Sequence, residues 1–362
     1  MSTETISKKQ ILQEKVNNLL DRSQSRNAAI LERIEKDNGL LTDFVLPLNV
    51  SSPLTFEANG SIKMNFNDQQ YSLHHNALMQ LAEKFGVPQR YLKELATTEW
   101  GRQLAQRVLT EHKNNIARQR VLVRTVGDQA RAVLSDKYRR LNSDEIYTSF
   151  INESRNAGAQ LYEAEHTDTK SYISTIIPQV FEIPTENNGL VHSVFGARIA
   201  NSDYGDGALE VRAFQMNCVC LNGMVSESQL KQIHLGKRLP DNVSFSDRTY
   251  KLDTQAMASA VGDIMKNVLS TERIKESAAA IKQASGELID LDKEIKKLPR
   301  MGMLKSEVEQ VEKRLMNSDE AQGITGKPTR WKLSQAITSV SNEIGERRRQ
   351  ELNELAGQLI SL

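Results

Sequence analysis

QRVLVRTVGDQARAVLSDKYRR, residues 119–140, reads as a β-hairpin. Apolar residues alternate with arginine on either side of Gly127-Asp128, a dipeptide suited to a tight turn. Period two places Arg120, Leu122, Arg124 and Val126 on one face of the first strand, and Val121, Val123 and Thr125 on the other. Beyond the turn Arg131, Val133 and Ser135 share a face, and Lys137, Tyr138, Arg139 and Arg140 follow the second strand. Between Glu111 and Arg140 eight basic residues, counted from Lys113 and Arg118 onward, stand against three acidic ones. The hairpin is the one strongly cationic stretch of the core. Arginine forks phosphate and Tyr138 is placed to stack on a base, so one reading is a phosphate contact. The other is a solvated strand face whose arginines pair with carboxylates from elsewhere in the chain.

The same alternation recurs downstream. AQLYEAEH (159–166), KSYISTII (170–177), LVHSVFGARIAN (190–201) and ALEVRAFQM (208–216) are strand-like runs with turn residues between them. Upstream, residues 55–73 form a small meander through Asn59-Gly60 and the NDQQ segment. Strands joined by short connections predict an antiparallel sheet with helices packed on one side, an α+β fold, instead of alternating βαβ units. Helical periodicity covers Ile6 to about Lys36, His75 to Leu95 with a break at Gly86-Val87-Pro88, Trp100 to His112, and most of the chain after Leu252. In this last region Met257, Val261, Ile264, Met265, Val268 and Leu269 make an apolar stripe, and Leu298-Pro299-Arg300 and Gly323 to Pro328 are breaks. Three regions follow: an N-terminal helical segment (1–41), an α+β core (42–250) and a C-terminal helical region (251–362). The last carries eighteen basic and seventeen acidic residues and no sustained heptad, which suits a helical bundle or an oligomer contact.

Composition narrows the function. With 47 Lys and Arg against 46 Asp and Glu in 362 residues, any attraction to a polyanion must be local. Cys218 and Cys220 are too close in sequence for an unstrained bridge and are expected to be small buried residues, which points to a reducing, cytoplasmic setting. The N-terminus lacks the order of a signal peptide, and no run of eighteen apolar residues exists to span a membrane.

Chemical motifs are sparse. GITGK (323–327) lacks the spacer and the Ser or Thr of a phosphate-binding P-loop, and Pro328 disfavours the helix that would follow. No nucleophile elbow, zincin motif or ordered carboxylate set is present, so neither a catalytic residue, a cofactor nor a metal is expected. His74-His75 opens a helix and suits capping. His234, beside Lys237 and Arg238, is expected in an exposed loop. Asn201 to Gly207 reads as a hairpin turn formed partly by Asp203 and Asp206, with Arg198 and Arg212 rising on the facing strands. Asn222-Gly223 reads as a further turn.

Residues 123–150 together with FGARIANSDYGDGALEVRAFQMNCVCLNGM (195–224) resemble a phage- and plasmid-borne family catalogued as domain of unknown function 932. The likeness spans about residues 45–245. Asn201, Ser202, Gly205, Cys220, Asn222 and Gly223 match that family's second block, whereas His234-Leu235-Gly236 stands where many members carry His-Thr-Gly. The family has no established activity, but its mobile-element setting implies replication, recombination or counter-defence, and its layout looks like that of phage single-strand annealing proteins. The expectation is an ATP-independent single-stranded DNA-binding or annealing protein in a bacterial host, homo-oligomeric through its helices. Phosphate contacts would come from Arg120, Arg124, Arg131, Lys137, Arg139, Arg140, Arg198 and Arg212, with Tyr138 stacking. The alternative is a non-catalytic structural or partner-binding protein.

Overall fold

The computed structural model describes residues 7–48, 54–57, 61–95, 97–115, 120–234, 236, 245–317 and 319–361. Arg118 at the foot of the hairpin, Asn59-Gly60, Leu235, Lys237 and Arg238 lie outside them. The chain is α+β, built on two mostly antiparallel sheets.

Helix α1 (Lys8–Gly39) starts at Ser7, whose hydroxyl accepts the Gln10 amide while the Gln10 side chain accepts the Ser7 amide. The first sheet follows: β1 (Leu41–Pro47), β2 (Thr55–Phe56), β3 (Ile62–Phe66) and β4 (Gln69–Leu73), then α2 (His75–Lys84), α3 (Gln89–Leu95) and α4 (Glu99–Asn115), then β5 (Arg120–Val126) and β6 (Gln129–Ser135). Its order is β1-β5-β6-β4-β3-β2, antiparallel except where β4 runs parallel to β6. Asn67 and Asp68, both at positive φ, make the two-residue turn that joins β3 to β4. His74 caps α2, its Nδ1 accepting the Asn76 amide. Val121, Val123 and Val133 face a core with Leu78, Leu81 and Phe85 of the α2 region and Leu109 of α4.

The second half runs α5 (Ser143–Asn156), β7 (Gln160–His166), β8 (Ser171–Ile176), β9 (Phe181–Pro184), β10 (Leu190–Asn201), β11 (Leu209–Asn217) and β12 (Asn222–Gln232). Next come α6 (Asp247–Val268), α7 (Thr271–Gly286), α8 (Leu291–Ile295), a 3₁₀ turn over Leu298–Met301, α9 (Lys305–Met316), α10 (Arg330–Ser341) and α11 (Glu346–Ser361). The second sheet has the order β12-β11-β10-β8-β7, with β9 also on β10.

Helices cover both faces of this sheet, where one covered face was expected. Ala197, Ile199, Val211 and Ala213 meet Tyr147 and Phe150 of α5 and Met257, Val261 and Met265 of α6. Val194, Phe214 and Met216 on the opposite face meet Leu12, Val16 and Leu20 of α1. The apolar stripe of α6 is therefore spent inside the chain. Trp331, Leu333 and Ile337 of α10 and Leu352 and Leu355 of α11 close a further core over Phe195 and Met224. Asn27 of α1 lies against the edge strand β7, donating to the Tyr162 carbonyl and accepting the Ala164 amide, so the helix occupies hydrogen-bonding positions a further strand would use.

Other sequence expectations need correction. Asn222-Gly223 opens β12 and is no turn; the left-handed residue is Leu221. Gly223 serves close packing, because a Cβ there would overlap the Phe214 ring. Cys218 is buried, which pushes its thiol up to about 12, while Cys220 is half-buried.

Candidate functional site

The hairpin forms with Val126 paired to Gln129 across Gly127-Asp128. A register shift after Arg124 makes Arg131 an extra, bulged residue, so it lies with Arg124 toward Tyr204 and does not share the face of Val133 as expected. The arginine face does not meet solvent. Leu122, Val126 and Leu134 on that face pack against Tyr204 of the β10–β11 loop, so the basic face is the joint between the two sheets. Arg124 is 0% exposed. Its Nε donates to Asp43 Oδ1 (2.8 Å), one terminal nitrogen to the Asp203 carbonyl (2.7 Å) and the other to Asn142 Oδ1 (2.8 Å). Arg131 binds Asp37 at the end of α1 (2.5 Å) and lies over the Tyr204 ring. Arg139 forks onto both carboxylate oxygens of Asp253 in α6 at 2.7 and 2.8 Å, and Arg140 sits over Tyr250, 3.5 Å from Asp43.

Tyr138 donates to the Ser202 carbonyl (2.8 Å) and stacks on His234, so its ring is occupied. Burial raises its phenol pKa. Arg120 is half-buried opposite Pro47, and Lys137 is exposed.

The second predicted pair is placed in register, since Arg198 lies directly across from Arg212. Neither rises from an exposed turn. Arg198 is buried, donating to Ser174 Oγ (2.8 Å) and to Gln350 of α11, with Glu163 at 3.6 Å. Arg212 binds Glu210 and Glu354. Arg349 of α11 meets Glu163 and Glu165, and Gln350 also donates to Glu165. The arginines of this block thus clamp α11 onto the second sheet.

The Asn201–Gly207 segment is a latch rather than a surface turn. Asn76 and Gln80 of α2 donate to the Tyr204 carbonyl, and Ser202 Oγ accepts the amides of Tyr204 and Asp206. Gly205 has φ +77°, and a Cβ there would overlap Leu134. His234, expected in an exposed loop, is 6% exposed; its ring nitrogens lie 2.8 Å from Asn201 Oδ1 and 3.1 Å from the Arg139 carbonyl, two acceptors of which a neutral ring donates to one. Burial pulls its pKa down to about 4, so it stays neutral near pH 7.

Asp203 lies in the same joint, and burial raises its carboxyl to about 6 against the attraction of Arg124. Folding therefore takes up a proton between about pH 4 and pH 6. The stability from this group is complete below the free carboxyl's pKa of 3.8 and is lost as pH rises through about 6. Asp203→Asn removes the loss. Relative to the parent it is expected to gain up to roughly 3 kcal/mol on going from about pH 4 to pH 7. Urea unfolding at the two pH values measures this, with His234 and Asp37 titrating in both proteins; a constant difference contradicts it.

Ser171, His166 and Asp37 form a hydrogen-bonded chain, Oγ to Nδ1 at 2.7 Å and Nε2 to the carboxylate at 3.1 Å. Such a chain can activate a serine. Ser171 is buried, however, and the cavity beside it is about 10 Å³, room for about one water. No group of three or more His, Cys, Asp or Glu among the described residues is arranged to hold a metal. No helix among them is long and apolar enough to cross a membrane.

What the sequence reading passed over is on α3 and α4. Gly101 packs so tightly on the Leu95 carbonyl that a side chain would overlap it, and the neighbouring Trp100 is left 70% exposed. Tyr91 of α3 is 41% exposed. Arg90, paired with Glu94, and Lys93 and Arg107 are exposed on the same two helices. The available signal was a tryptophan beside a glycine among charged residues in a helix with little apolar surface to spare. No family model, curated protein or solved structure matches the chain.

Proposed function

We propose that the chain is a non-catalytic, ATP-independent binding protein for single-stranded nucleic acid, and that it meets the strand on the outer surface of α3 and α4 instead of the hairpin. The observation that carries this reading is the exposed Trp100 indole, with Tyr91 and the cations Arg90, Lys93 and Arg107 on the same helix pair. Leaving a large aromatic in water forgoes about 1.5–3 kcal/mol of burial. Stacking a base on it recovers about 1–3 kcal/mol without regard to sequence. Two or three cations on these helices would supply phosphate contacts, so the affinity should fall modestly with salt. A role in replication or recombination rests on the sequence resemblance alone, since no family model matches the chain.

The chain has two tryptophans, and Trp331 is 2% exposed, so a change in emission on adding a strand reports Trp100. Titration with an oligo-dT is expected to quench that emission saturably, with a log–log salt slope near −1.4 to −2.1 for two or three phosphates. If iodide quenches Trp100 and the oligonucleotide does not, this reading is wrong. The partner-binding alternative then stands, because exposed Trp, Tyr and Arg also anchor protein interfaces. Self-association, expected through the helical tail, would have to use surfaces other than the α6 stripe; Leu304 and Met316 are exposed apolar candidates.

A further inference from the structure

A cavity of about 230 Å³ lies between the β11–β12 edge of the second sheet and helices α7 and α11. Its walls are apolar on one side, where Phe214, Met224 and Ile360 are large and Ala213, Ala280 and Gly357 are small enough to leave the space. They are polar on the other, where Gln215, Arg273, Glu276 and Ser277 stand, and an incoming acid would compete with Glu276 for Arg273. Arg273, Ser277 and Ala280 line it from α7 at the i, i+4, i+7 spacing of one helix face.

Two donors in this lining are poorly matched. Arg273 gives one terminal nitrogen to Glu276 (2.8 Å), but its buried Nε has no hydrogen-bond partner. Gln215 directs its amide nitrogen to the thioether of Met224, a weak acceptor. A guanidinium Nε left without an acceptor is costly; the Nε itself is closed off, and it is the terminal edge of the partly exposed Arg273 guanidinium that can fork a carboxylate. Arg273 also lies in the first turn of α7, where the helix dipole favours an anion.

We propose that this cavity binds a small amphipathic carboxylate, its acid on Arg273 and Gln215 and its apolar body against Met224, Phe214 and Ile360. A cavity of about 150 Å³ accepts benzene. The larger space here suits one aromatic ring bearing an acid, or a fatty acid of about six carbons. This inference is independent of nucleic-acid binding.

The test is a fluorine NMR titration of the full chain with 4-fluorobenzoate and, separately, with 4-fluorobenzyl alcohol. The acid is expected to bind saturably, to be displaced by hexanoate and to bind about tenfold or more tighter than the alcohol, as a charge-assisted hydrogen bond requires. Arg273→Met keeps much of the apolar stem and should abolish the preference for the acid; Ala280→Leu should block both probes. Unchanged Trp331 emission confirms that each variant folds. Equal affinity for acid and alcohol in the parent protein overturns the proposal, whatever the variants do. So does a preference that survives Arg273→Met, or the absence of saturable binding of either acid up to about 10 mM.

Discussion

Arg124→Met is expected to cost about 3–5 kcal/mol, the range for removing one member of a buried, hydrogen-bonded ion pair. Three acceptors lose their donor: the Asp43 carboxylate, the Asp203 carbonyl and Asn142 Oδ1. Among the described residues Asp43 keeps only Arg140 as a cationic partner, at 3.5 Å. Because burial opposes the charge while Asp43 and Asp203 together hold the Arg124 pKa above its ordinary value, the native environment is organised around a cation there. The loss should appear as a lower urea midpoint at unchanged m-value, followed through Trp331 emission. Lys137→Met on the same hairpin, at an exposed position, should stay within about 0.5 kcal/mol of the parent. A change at Arg124 below about 1 kcal/mol would mean that its acceptors find solvent and that the joint is not closed as described.

The second large effect is expected at Arg198→Met. Here burial outweighs Glu163 and lowers the arginine's pKa, so the charge is held less comfortably than at position 124. Removing it still leaves Ser174 and Gln350 without a donor and Glu163 dependent on Arg349. A loss of about 3–5 kcal/mol is expected, with faster hydrogen exchange concentrated in α11. Adding Glu163→Gln should recover part of it, since a buried carboxylate no longer needs a counter-charge. Uniform acceleration across both sheets would argue against a clamp on α11.

These expectations mark what the sequence could reveal. The hairpins β5–β6, β7–β8 and β10–β11 were legible because alternation and turn chemistry are local. Period two also grouped Arg120 with Arg124, and the Asn201–Gly207 turn put Arg198 and Arg212 on facing strands, but the bulge at Arg131 broke the period on the second strand. It could not say what covers those faces. Arg124 meets Asp43 across 81 residues, Arg131 meets Asp37 across 94, Arg139 meets Asp253 across 114 and Arg198 meets Gln350 across 152. Reversing charge at Arg139 and Arg140, harmless if both were solvated, breaks the Asp253 fork and the Tyr250 contact instead. Strand β12, NGMVSESQLKQ, escaped notice because an edge strand of largely polar sequence has weak alternation. His234 and Asp203 looked like exposed loop residues because their long-range partners, Asn201 and the Arg139 carbonyl for His234 and Arg124 for the Asp203 carbonyl, are remote in sequence.

The exposed tryptophan was equally illegible, since a helix pattern shows which residues can be buried and not which one is left out.

The most direct test compares oligo-dT affinity for Trp100→Ala and Arg139→Gln, both checked for folding. The account predicts a loss of about 1–3 kcal/mol for Trp100→Ala, and for Arg139→Gln a loss of stability with affinity unchanged. Wild-type affinity in Trp100→Ala together with weakened binding in a fully folded Arg139→Gln would contradict it and return the interface to the hairpin.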